Sequence, residues 1–364
     1  MLPTDQAPPL VLYTTDPLNG GPRLEELIQS FLTPEPFFFV RNHGTVPRLL
    51  PATYRLYVDG LVQQPLDLSL ADLQAHYAHK TVTATLQCAG NRRSELTQLA
   101  PIAGEIPWGP EAIGTASWGG YPLADLLADA GVLAGANHVA FTGLDQIEQR
   151  GAVIPFGASV SLTKALSPEV LLANTMNGMP LSHTHGAPLR VVVPGYIGAR
   201  SVKWLGRITV QDHPSSNYYQ AHAYRRFAPD VTPETADWEA ASVLEAVPVN
   251  AAICVAREFS QGRSKWVLLR GYALGSGLAP MEQVEVTADG GHHWAPARFL
   301  PEQAPWTWRL WETELALEAD PNGVAVRARD TLQQTQSESL AAVWNFKGYL
   351  NNAWHVFHRQ EGER

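Results

Sequence analysis

Cysteine is nearly absent from this sequence: 364 residues hold only Cys88 and Cys254. That scarcity rules out a disulfide framework and a CxxC zinc site. Without a CxxCH there is no covalently attached c-type haem. No apolar run approaches the roughly 20 residues that cross a bilayer. The first ten residues, MLPTDQAPPL, lack a basic flank, an apolar stretch and a twin arginine. The chain as written therefore reads as soluble and cytoplasmic, or periplasmic if a leader has been removed. No GxGxxG follows a strand and no steady βαβ repeat appears, which excludes a Rossmann dinucleotide site. Charged residues are sparse at 17%, with a net charge of −9. This argues against a nucleic-acid or anionic-membrane partner. Any anionic ligand must be drawn by a local cluster of basic side chains.

What is present is a globular composition, 45% hydrophobic, in a chain long enough for two domains. The first part mixes helix and strand signals. LEELIQSFL (24–32) and PLADLLADAG (122–131) carry apolar residues at helical spacing, the second closing on Gly131. SLADLQAHY (69–77) opens with a serine cap. YRLYV (54–58), TVTATLQC (81–88) and LRVVV (189–193) read as strands. From residue 214 a polar, aromatic, breaker-rich stretch predicts a long crossing loop. Beyond it, VPVNAAICVA, KWVLLRGYAL, MEQVEVTADGGHHW and GVAVRARDTL are strand and turn. Val284, Val286 and Ala288 alternate before an Asp289-Gly290-Gly291 turn, the mark of a hairpin. The pattern predicts an α+β domain over 1–240 and an immunoglobulin-like β-sandwich over 241–364.

In TLQCAGNRRSEL, Val82, Ala84, Leu86 and Cys88 alternate on one face, and the chain then turns through Ala89-Gly90-Asn91. A thiol is thereby delivered to a strand end beside Arg92 and Arg93. Nearby positive charge favours thiolate, so Cys88 is expected to be a nucleophile or a soft-metal ligand. Other loops repeat the theme of cationic donors at strand edges. FFFVRNHGTVP (37–47) offers Arg41, Asn42 and His43; HTHGAPLR (183–190) offers His185 and Arg190; GARSVKWLG (198–206) offers Arg200, Ser201 and Lys203. Such donors hold phosphate and oxyanion groups.

LQCAGNRRSE, RNHGTVP, HGAPLRVVVPG and GARSVKWLGRI together resemble the sulfite oxidase family of molybdenum-cofactor enzymes. The layout is closest to its haem-free plant-type members. The resemblance runs from about residue 37 to VWNFKGYLNNAWH (343–355). It implies a molybdopterin-binding domain followed by a dimerisation sandwich, molybdenum-molybdopterin as cofactor, no haem, and a homodimer. Cys88 would be the metal's single protein ligand. Phe39, Val40, Arg41, Asn42, His43, Asp145, His185, Arg190, Ser201, Val202 and Lys203 match the positions that hold the pterin and its phosphate. Arg41 and Arg93 match the oxyanion-binding arginines, Trp108 their tryptophan wall, and Tyr224 the active-site tyrosine. The implied reaction is oxidation of sulfite, or another small oxyanion, with electrons passed to an external acceptor such as a cytochrome or dioxygen. Fixed guanidinium groups suit an oxyanion better than a mobile lysine, and a thiolate suits a redox-cycling soft metal.

One position departs from the family pattern. Ala279, in GYALGSGLAPMEQVEV, stands where the family carries an arginine that reaches the substrate pocket. Its loss weakens the case for a dianion unless another residue compensates, and it keeps open a reductase of nitrate or an S-oxide. A cofactor-free binding protein is the rival of another class. Set aside as sites are the His183–His185 pair as a zinc site, His292 and His293 as turn residues, and Cys254 as a buried structural thiol.

Overall fold

Trp308 closes one side of the strand Lys80–Gln87. The computed structural model describes residues 9–262, 264–317 and 323–357. Ala84, Leu86 and Cys88 share an apolar cluster, with Val82 packed against it, as the alternation predicts. The opposite face carries Thr85 and Gln87, which a half-exposed strand would leave in water. Both are buried. The Trp308 N–H donates to Thr85 Oγ1 at 2.8 Å, and Asn250 Nδ2 donates to Gln87 Oε1 at 3.2 Å. The polar face is thus satisfied by the second half of the chain.

The first half is built on two five-stranded sheets. One runs Gly157–Ser161, His138–Gly143, Leu205–Gln211, Leu56–Gly60, Leu66–Leu68, with a single parallel pair between Leu205–Gln211 and Leu56–Gly60. The other orders Met179–Pro180, Leu171–Met176, Ile113–Pro122 and Lys80–Gln87, and Arg190–Val192 pairs with Leu171–Met176. Helix Leu70–His76 starts at Ser69 with a full capping box to Asp72. Helix Leu123–Ala130 ends on Gly131 at φ +69°, and its buried Leu123, Leu126 and Leu127 join the main core. The stretch 24–32 forms only the turn Leu24–Leu27. Downstream, Thr33 N–H bonds the Thr115 carbonyl at 2.7 Å, a tertiary pairing that pulls the chain out of helical register.

The second half packs two antiparallel four-stranded sheets. Asn250–Gln261, Ser264–Leu274, Arg309–Leu317 and Arg298–Phe299 form one; Ala295–Pro296, Met281–Thr287, Val324–Asp330 and His355–Phe357 form the other. Ile253, Leu269, Val284, Val286, Trp311 and Val326 fill the space between, each worth roughly 1.5–3 kcal/mol of burial. Gly290 and Gly291 take positive φ at the predicted hairpin turn. A register shift between Ile253 and Val255 turns Cys254 into the interdomain core, where burial pushes its thiol well up. The sequence reading of Cys254 as structural fits that position. The crossing segment 214–242 is mostly loop, but it contains an unpredicted π-helical turn, Tyr219–Ala223, a form enriched at functional sites.

Candidate active site

The turn after Lys80–Gln87 is held by the Cys88 N–H to Ala112 O at 2.9 Å and the Asn91 N–H to Cys88 O at 3.0 Å. Gly90 donates its N–H to Cys88 Sγ at 3.4 Å. A β-carbon at Gly90 would fall 2.5 Å from the Arg93 guanidinium, which would have to shift to admit one.

The two arginines after the cysteine diverge. Arg92, at φ +65°, points into the second half and is fully buried. It donates to Asn250 Oδ1 at 2.8 Å, to the Ala251 and Ala353 carbonyls, and to both oxygens of Glu95. Arg93 turns back behind the cysteine. It donates to Ile106 O at 2.8 Å and to the Lys347 and Gly348 carbonyls at 3.1 Å, and pairs with Glu105 at 3.5 Å.

Cys88 opens onto a cleft. Phe39, Arg41, Asn42, His43, Asp145, His185, Arg190, Ser201, Val202, Lys203 and Tyr224 line it with Cys88. The structure therefore brings together twelve of the fifteen residues singled out from sequence. Val40, Arg93 and Trp108 do not line it. Val40 is buried and its backbone pairs with Gly20. Trp108 is fully buried between Tyr13 and Phe39, with an indole N–H that has no partner among the described residues. Missed by sequence reasoning are Phe156, Trp204 and Tyr219. The first two line the cleft, and the Tyr219 ring packs tilted against that of His43, with centroids 4.3 Å apart. Trp204 lies beside Lys203 in the GARSVKWLG segment and Tyr219 in the polar crossing loop, where an aromatic by itself marks no site.

The charges in the cleft are unusual. Arg190 is buried and Lys203 half-buried, and neither makes an ion pair among the described residues. Burial drives Arg190 down to about 9. Burial, and then Arg190, hold Lys203 well below an ordinary lysine. Arg190 is fixed by the His185 and Ser201 carbonyls at 3.0 and 3.1 Å, and Lys203 by Thr184 O and Asn42 Oδ1. Cations withdrawn from water without a counter-ion are costly, so this end of the cleft is built for an anion such as a phosphate. The residues present thus fit a phosphate-bearing organic cofactor with a soft metal at the thiol end. Cys88 differs from the sequence expectation in one respect. Burial raises its thiol more than Arg93 and Arg41 lower it, so metal coordination, not the arginines, must strip the proton.

At the thiol end the hydrogen-bond polarity can be read off. Arg41 Nη2 lies 3.1 Å from His43 Nδ1, and a guanidinium can only donate. Burial, then Arg41 and Lys203, hold His43 neutral. Its proton therefore sits on Nε2 and is donated to Tyr224 Oη at 2.9 Å. Burial also keeps Tyr224 protonated, which leaves its own O–H free to donate into the cleft.

The segment from GYALGSGLAP does not reach this cleft. Ala279 lines a second cavity with Gly275, Gly277, Pro280, Thr85 and Trp306. No group of three metal-ligating side chains occurs among the described residues, and no helix there is long and apolar enough to cross a membrane.

Residues 43–219 match the family model for an oxidoreductase molybdopterin binding domain, and residues 241–361 that for a Mo-co oxidoreductase dimerisation domain. The chain is 42% identical over 358 residues to the sulfite oxidase of Gallus gallus, covering 96% of this chain and 77% of that one. It is 36% identical over 369 residues to the sulfite oxidase of Arabidopsis thaliana, covering 96% and 93%. In fold it is similar to the sulfane dehydrogenase SoxCD of Paracoccus pantotrophus, with a TM-score of 0.80 at 23% identity over 97% of this chain and 90% of that one.

Proposed function

Because the chain belongs to the sulfite oxidase family of molybdenum-cofactor oxidoreductases, we propose that it oxidises sulfite to sulfate. Sulfite and water yield sulfate, two protons and two electrons. The observation that carries this reading is a single cleft with a thiol and a free tyrosine O–H at one end and two cations without an ion-pair partner at the other. The molybdenum cofactor supplies oxygen-atom transfer and a store for two electrons.

The residues of this chain do the rest. Cys88 is the protein's ligand to the metal. Arg190, Lys203, His185 and the Ser201–Val202 backbone hold the phosphate end; Phe39, Asn42 and Asp145 frame the organic ring. Arg41 draws the dianion into a low-dielectric pocket, where a fixed cation acts strongly. Arg93 adds its charge from behind Cys88, with Trp108 as the wall beyond. Tyr224, aimed by His43, donates to the oxyanion and stabilises the charge that builds up during transfer. Electrons leave to an external acceptor, a cytochrome or dioxygen, with no haem in the chain. Residues 1–240 form the catalytic domain, and residues 241–364 pair two copies.

The test is sulfite-dependent reduction of ferricyanide by molybdenum-loaded protein, with nitrate and sulfoxide run beside it using a reduced dye. Fast sulfite turnover supports the reading. Turnover of nitrate or sulfoxide alone refutes it in favour of a reductase. Native mass spectrometry giving only monomer at micromolar concentration would remove the dimer.

A further inference from the structure

We propose that Asn19 is a positioning residue that sets the Arg41 guanidinium in the cleft for its oxyanion; this rests on the sulfite-oxidising reading above. Asn19 lies in an N-terminal hairpin, Val11–Thr15 and Leu18–Gly21, opposite Thr14. Tyr13 fastens that hairpin to the body of the molecule. Its hydroxyl donates to Glu111 Oε1 at 2.6 Å, and its ring makes a T-shaped contact with Trp108, centroids 4.8 Å apart. The hairpin then holds segment 40–45 at both ends. Gly20 and Val40 exchange backbone hydrogen bonds at 3.0 and 2.8 Å, and Thr45 Oγ1 donates to Asp16 Oδ1 at 2.9 Å.

Asn19 is buried and its amide is fully used. Its Nδ2 donates to Thr14 Oγ1 at 2.8 Å and to Pro17 O at 2.9 Å. Its Oδ1 accepts the Asn42 N–H at 2.8 Å and Arg41 Nη1 at 3.4 Å. A primary amide has two N–H donors and two carbonyl lone pairs, so no capacity is left over. Acceptors on one side and donors on the other also fix which way the amide faces. A carboxylate here would have no hydrogen to give Pro17 O, and an aliphatic side chain would leave the buried Asn42 N–H without its acceptor.

Arg41 lines the cleft and is half-buried. Its guanidinium bonds Asn42 O, His43 Nδ1 at 3.1 Å and Asn19 Oδ1. The first two belong to its own segment and move with it; Asn19 ties the head group to a different part of the fold. One oxygen thus grips both the Arg41 head group and the backbone next to it. A long arginine side chain loses rotamer freedom when it is ordered. Here the ordering is complete before the anion arrives, which is what a preorganised oxyanion site requires.

Asn19→Ala in the molybdenum-loaded enzyme, with rates expressed per bound molybdenum, should raise KM for sulfite about tenfold and leave kcat within about threefold. The Kd of sulfate, measured by calorimetry on the oxidised enzyme, should rise by the same factor. Asn19→Asp keeps the shape and the acceptor but sets a negative charge against Arg41, so it should raise both constants at least as far. That variant carries the test if the void left by alanine unfolds the hairpin. The decisive readout is the cycle with Arg41→Gln. In that background either Asn19 substitution should change KM and sulfate Kd by less than about twofold, because the cation it positions is gone. An equal rise in both backgrounds would overturn the proposal and leave Asn19 as a purely structural residue. Unchanged KM and Kd in the Asn19 variants would overturn it too. Wild-type enzyme that neither oxidises sulfite nor binds sulfate would bring down the underlying reading and this inference with it. Wild-type enzyme that does both beside indifferent Asn19 variants would bring down this proposal alone.

Discussion

Arg92→Leu should cost the protein roughly 3–5 kcal/mol, the usual consequence of orphaning a buried charge. Arg92 is fully buried, and its partner Glu95 has a side chain only 16% exposed. Burial pushes Glu95 up, but Arg92, His355 and Asn351 together outweigh it and hold the carboxylate below its ordinary range. Removing the guanidinium leaves Glu95 with an Asn351 contact at 3.4 Å and His355 at 3.9 Å. It also strips donors from the Ala251 and Ala353 carbonyls, which join the cysteine turn to the sandwich. At about 2–4 °C per kcal/mol for a cooperative unit of 150–250 residues, the melting temperature should fall by roughly 6–20 °C in a calorimetric scan. Two companion variants sharpen the test. Arg92→Gly relieves the φ +65° backbone, so it should be about 1 kcal/mol less damaging than Arg92→Leu. Arg92→Leu with Glu95→Leu removes both charges, and the pair should show a coupling of at least about 1 kcal/mol. A fall under about 3 °C, or strict additivity in the cycle, would refute the account of Arg92 as a buried latch.

Cys88→Ser should abolish sulfite turnover while the cofactor-free protein keeps its fold by circular dichroism; retained activity would remove Cys88 as metal ligand. Arg41→Gln removes a cation facing the oxyanion and the donor that sets the His43 tautomer, so kcat/KM for sulfite should fall at least about 30-fold, or 2 kcal/mol. A change under threefold in steady-state assays would contradict both roles. Stability of the cofactor-free protein should also depend on pH. Burial lowers His185 to about 3 and holds His43 well below its ordinary value. The unfolded chain then binds more protons below about pH 6.5, and stability is lost as pH falls from 6.5 toward 3. The slope should approach about 1.4 kcal/mol per pH unit for each histidine. A flat denaturant midpoint between pH 7 and pH 5 would show that these histidines are not buried as neutral rings.

Much of the site was legible because its residues sit in short polar segments at strand ends, where charge is conspicuous against a chain with few charges. Arg41, His185, Arg190 and Lys203 were found that way, and the cleft contains them all. The helix caps at Ser69 and Gly131 were legible because capping is local chemistry. The stretch 24–32 was misread as one helix because its apolar spacing carries no trace of the Thr33–Thr115 pairing that ends it. The π-helical turn Tyr219–Ala223 before Tyr224 was missed for the same reason, since it packs against the distant strand Gly157–Ser161.

The sequence by itself determined the chemistry on offer: one strand-end thiol, a set of loop cations, and a mixed domain followed by strands. Only the tertiary structure shows how two adjacent arginines part ways. Arg92 and Arg93 are chemically identical, and a left-handed backbone at Arg92 sends one guanidinium into the sandwich and the other behind Cys88. Residue type sets what a side chain can donate; backbone direction and burial set to whom, and no local pattern encodes either.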